Sequence, residues 1–130
     1  MTSIMAKAIE DLKKKHMQER RDLVTRMICE MAIGSKTTQI CYGYRNLFND
    51  VPAYLRDRGI PHKAGNRNEF IDLQNRSELI FVHPTEPARY RGVSANRVIL
   101  TCTLICDEWE YFRRVVGATD GELIAVEHPV

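Results

Sequence analysis

The residues best suited to chemistry close the most apolar run of the chain. Leu104-Ile105-Cys106 leads into Asp107-Glu108; such a pair can hold Mg²⁺ through its Asp and polarise a water through its Glu. The same two side chains suit the acidic first turn of a following helix. Asp107 and Glu108 are therefore catalytic candidates beside a capping role, with Glu69 and Asp72 as further carboxylates for a metal-dependent nuclease or nucleotide hydrolase. Gly34-Ser35-Lys36-Thr37 has the composition of a phosphate loop but the wrong order. That mechanism needs strand, glycine loop and helix, and here a helix precedes the glycine and a strand follows it. His16, His62, His83 and His128 form no paired ligand motif, and Cys102-x-x-x-Cys106 has no second half, so neither a metal nor another cofactor is expected.

Basic residues form the other candidate set. Arg89-Tyr90-Arg91, with Arg56, Arg58, Lys63, Arg67 and Arg97, combines groups that contact phosphates and stack on bases. The same residue types are enriched at protein hot spots. Two readings follow: a protein-binding surface, or nucleic-acid binding through basic loops at 56–67 and 89–97.

The chain that must position these groups has 130 residues, 44% hydrophobic and 28% charged, enough for one domain with a real core. A net charge of +2 is too mild to identify a nucleic-acid binder by itself. Charge is unevenly placed: residues 1–44 carry 8 basic and 5 acidic groups, 45–97 carry 9 and 6, and 98–130 carry 2 and 6. A basic body with an acidic C-terminal edge can steer an acidic partner or favour self-association. No run is long and apolar enough for a membrane helix, and residues 1–15 lack the pattern of a signal peptide. The expectation is cytoplasmic, with no membrane partner and with Cys29, Cys41, Cys102 and Cys106 as reduced, buried thiols.

Periodicity predicts one long helix over 3–33, capped by Thr2 or Ser3 and stopped at Gly34. Ile4, Ala8, Ile9 and Leu12 form one apolar cluster, and Leu23, Val24, Met27, Ile28 and Met31 a second. The polar stretch 13–22 between them implies that the first half projects while the second packs, and that the projecting half pairs with a second copy. A strand is expected at 37–44 and a helix at 45–58, with Pro52 tolerated if it falls in the first turn. A hairpin at 69–73 and 78–83, a loop at 84–94, a strand in the first half of 97–106, a helix at 107–116 and a strand at 121–126 complete the chain. The fold class is α/β: a small mixed sheet of roughly three to five strands, at least one buried and parallel, with helices packed on it. Residues 1–130 form a single domain, the helix at 3–33 preceding an α/β core at 37–130.

Leu73-x-Asn75-x-Ser77-x-Leu79-Ile80-Phe81, then Tyr90-Arg91-Gly92-x-x-Ala95-Asn96-x-Val98-Ile99-Leu100, resembles part of the RecA-like ATPase domain of phage terminase large subunits. That family has a Leu-x-Asn-Gly-Ser hairpin, an Arg-Gly loop and an Ala-Asp-x-Val-Ile strand ending in a metal-binding Asp-Glu. Arg76 stands where the family has Gly, and Thr101-Cys102 where it has Asp-Glu; the family's phosphate loop has no counterpart in the matched stretch. The resemblance implies a derivative that retains the architecture without hydrolysis. The expected role is a phage-type accessory protein that binds a host or viral protein machine as inhibitor or recruiter.

Overall fold

A computed structural model describes residues 3–65, 69–84, 95–101 and 109–129. The elements run α1 (Ile4–Gly34), β1 (Thr38–Tyr42), α2 (Arg45–Asp57), β2 (His62–Ala64), β3 (Phe70–Leu73), β4 (Glu78–Val82), β5 (Arg97–Leu100), α3 (Trp109–Gly117) and β6 (Glu122–Ala125). Six strands form one mixed sheet in the order β2-β3-β4-β1-β5-β6, one strand beyond the expected range. β4, β1, β5 and β6 are parallel, and β3 is antiparallel to both β2 and β4.

The central strands are apolar on both faces because both are covered. On one face Cys41, Leu79, Phe81 and Ile99 pack with Val24, Ile28 and Ala32 of α1 and Leu47, Phe48, Val51 and Leu55 of α2. On the other, Ile40, Tyr42, Ile80, Val82, Val98 and Leu100 pack with Phe112 and Val116 of α3. Each buried Leu or Ile truncated to Ala in such a core costs about 2–5 kcal/mol.

Polar residues between the strands fix their starts. Asn75 Nδ2 donates to the Ala32 carbonyl at 2.9 Å and to Ile33 at 3.1 Å. Ser77 Oγ lies 2.8 Å from the Ala32 carbonyl and 2.6 Å from that of Ser35, and accepts from Thr37 N at 3.2 Å. The β3–β4 turn therefore caps the last turn of α1, whose carbonyls lack helical donors. Asn96 joins three strands: its N–H donates to Thr38 O, its Oδ1 accepts from Thr38 N, and its carbonyl accepts from Glu122 N. A Cβ at Gly121 would overlap that carbonyl, which is why glycine opens β6.

Several expectations need correction. Pro52 is not in the first turn of α2 but in its interior, buried; its ring fills core space, while it cannot donate to the carbonyl of Phe48. Leu23 shares the apolar spacing of α1, yet it is 66% exposed, because packing of the helix on the sheet begins only at Val24. The basic segment 56–67 is not a loop throughout: it includes the end of α2 and the edge strand β2. Among the described residues no helix is long and apolar enough to cross a membrane.

Candidate functional site

Where α1 leaves the domain it forms a groove with α2, about 540 Å³ in volume, walled by Leu23 and Tyr54 and rimmed by Glu19, Asp22, Arg26 and Asp57. Its floor is held by a polar cluster. Arg21 donates to Asp50 through Nε at 3.2 Å and through Nη2 at 2.9 Å. His128 Nε2 lies 3.1 Å from Asp50 Oδ2 and 3.4 Å from Thr25 Oγ1. Burial holds the His128 ring below its ordinary pKa, and the Asp50 carboxylate opposes that shift. Hydroxyl and carboxylate meet the same ring nitrogen, so this cluster cannot relay a proton between two nitrogens as a catalytic triad does. It acts as a clamp tying the chain beyond β6 to both helices. Asn46 Nδ2, donating to the Pro129 carbonyl at 3.0 Å, extends it.

Farther along the two helices, Glu30 Oε1 accepts from Tyr54 OH at 2.8 Å and from Arg58 Nε at 2.9 Å. Those bonds, the Arg58 one first, hold the Glu30 carboxyl below its usual range, and the bond to Glu30 raises the Tyr54 hydroxyl above its own. Arg58, expected on a binding surface, is thus paired across the helices. Arg56 and Lys63 are exposed, on α2 and β2 respectively. Arg97 is elsewhere, on β5, with its side chain 15% exposed. Its Nε donates to Glu122 at 2.7 Å and its Nη1 to Gln39 at 3.1 Å, a row across three strands set by register. Arg67, Arg89, Tyr90, Arg91, Asp107 and Glu108 lie outside the described residues, as do Cys102 and Cys106.

The carboxyl edge of the parallel strands is tightly built. A Cβ at Gly43 would overlap Thr101 Oγ1, and the Thr101 hydroxyl donates to the Tyr42 carbonyl at 2.9 Å. Beside it the His83 ring meets Tyr44 and Phe48 edge to face, and the Arg45 guanidinium stands 5.1 Å over Phe48. Cys29 and Cys41 are buried free thiols. Burial raises both, Cys41 to about 12 and Cys29 further, so neither is a nucleophile in the native fold.

Among the described residues, no three His, Cys, Asp or Glu side chains converge as a metal site. The α1–α2 groove was not foreseen from the sequence; its only sequence signal is the apolar spacing that runs through Leu23 into the charged stretch 13–22. No family model, curated protein or solved structure matches the chain.

Proposed function

We propose that the chain acts by binding a partner protein, and that the α1–α2 groove receives a basic, amphipathic segment of that partner. The observation that carries this is the placement of Leu23, two-thirds exposed at the groove mouth among carboxylates. An exposed apolar anchor with a charged rim is the arrangement of a protein interface. Glu19, Asp22 and Asp57 outnumber Arg26 on the rim, which favours lysines and arginines on the incoming segment and disfavours nucleic acid on this face. Kinship with the ATPase domain of phage terminases is part of the same reading. It is supported by the hairpin and by the parallel neighbours β1 and β5, and implies a host or viral machine as the partner.

A photo-crosslinking residue at position 23, compared with one at Glu78, tests it in cells producing the full chain. The expected result is a discrete protein adduct at position 23 that Asp22→Lys abolishes and that the purified partner reproduces. Equal labelling at both positions, or adducts removed by nuclease, overturns it. The latter outcome would favour the basic surface of Arg56 and Lys63, with salt-dependent binding of nucleic acid.

A further inference from the structure

Every residue from Ser3 to Arg20 is exposed, so more than half of α1 is an arm free of the sheet. The arm is not uniformly polar. Met5 is 72% and Leu12 65% exposed, and Ile4, Ile9 and Met17 are exposed with them. Met5, Ile9, Leu12, His16, Glu19 and Leu23 follow one another at alternating steps of four and three, the spacing of a coiled-coil seam. Ile9, Leu12 and Met17, with the stems of Lys13 and His16, already form a shallow groove along it.

We infer that the arm pairs with the arm of a second copy, antiparallel, with Ile9 opposite the partner's Leu12. One two-fold operation then closes the seam on itself: Met5 meets the partner's His16 and Ile9 meets the partner's Leu12, with Ile4 and Met17 flanking it, a closed, isologous contact. Charge selects this direction. The outer half of the arm, residues 3–11, carries Lys7, Glu10 and Asp11, and the inner half, residues 12–20, carries Lys13, Lys14, Lys15, Glu19 and Arg20, so the outer half is net acidic and the inner half net basic. Antiparallel pairing sets Lys13 and Lys15 against the partner's Ala6 and Ala8, one turn from its Glu10 and Asp11. Parallel pairing in register would stack Glu19 on Glu19 in the seam and place Lys15 beside Arg20, both repulsive. A seam of about two heptads is short, so the association is weak and reversible. It uses residues outward of the Leu23 groove and stands independently of the function proposed there.

Sedimentation equilibrium on the full chain tests the association. The weight-average mass is expected to rise reversibly toward twice 15.0 kDa with concentration, and Leu12→Glu, an exposed substitution, to hold it at the monomer with unchanged melting. Orientation is tested by oxidising Met5→Cys and His16→Cys chains, both carrying Cys102→Ser and Cys106→Ser. A mixture should form the heterodisulfide. Met5→Cys alone should not link, because the two copies of position 5 lie about 17 Å apart along the axis. A monomer at every concentration, or self-linking of Met5→Cys as fast as the mixture, overturns the inference.

Discussion

Ser77 Oγ lies 2.8 Å from the carbonyl of Ala32, joining the turn between two strands to the end of a helix 45 positions earlier. The contact is buried, and the same oxygen accepts from Thr37 N, so one hydroxyl serves the helix end and the approach to β1. Removing it takes this partner from Thr37 N and from a carbonyl at the end of α1, while Asn75 still donates to Ala32. Ser77→Ala is expected to lower stability by about 1–3 kcal/mol, read from urea unfolding at constant m-value. Gln74→Ala, exposed in the same turn, should change little; equal effects would show that the turn and not the hydroxyl matters.

Arg76, between the two capping residues, has φ 68, in the left-handed region where a side chain costs about 1–2 kcal/mol. Glycine removes the steric cost but adds freedom to the unfolded chain. Arg76→Gly is therefore expected to stabilise by about 0.5–1 kcal/mol. Asp120 has φ 53, but Asp tolerates that region, so Asp120→Gly should gain less. Chemical denaturation of both variants checks the ranking, and a destabilised Arg76→Gly would refute it.

What was legible in the sequence was whatever local spacing determines. α2 has a strong apolar period, α1 has two apolar clusters at helical spacing, and the hairpin has a polar turn between short apolar runs; each is found within a residue or two of its expected bounds. β2 was missed because His62-Lys63-Ala64 is short and exposed and exists by pairing with β3. Pro52 misled because its cost is offset by burial against the core, which no local rule registers. The groove was invisible for a different reason. Arg21 and Asp50 are 29 positions apart, and His128 another 78 beyond Asp50, so only the fold brings them together. Arg97 looked like a free cation because its partners, Gln39 and Glu122, are supplied by strand register.

The two described thiols should behave as core side chains. With Cys102 and Cys106 changed to Ser, Cys29 and Cys41 are expected to resist a disulfide reagent at pH 8, because burial suppresses the thiolate that reacts. Labelling should proceed at the unfolding rate and accelerate with urea. Stoichiometric labelling within seconds in native buffer would contradict the burial.

His128 makes the clamp sensitive to pH in a definite direction. Burial favours the neutral ring, so its folded pKa lies below the ordinary value of 6.5. Between those two values the unfolded chain binds more protons than the native one, and stability rises with pH. The contribution is therefore fully present above about pH 6.5, lost as pH falls toward the folded pKa, and absent below it. Asp50 opposes the shift and Arg21 reinforces it, so Asp50→Asn should steepen the loss. In His128→Gln the slope has no source: the variant should be less stable at pH 8, since Thr25 loses the ring and Asp50 keeps only Arg21, and the gap from wild type should narrow on acidification. Urea midpoints of both proteins from pH 8 to 5 measure that difference directly, with other titrating groups cancelling. Parallel profiles would mean that the ring carries no linked proton and that the clamp holds by packing alone.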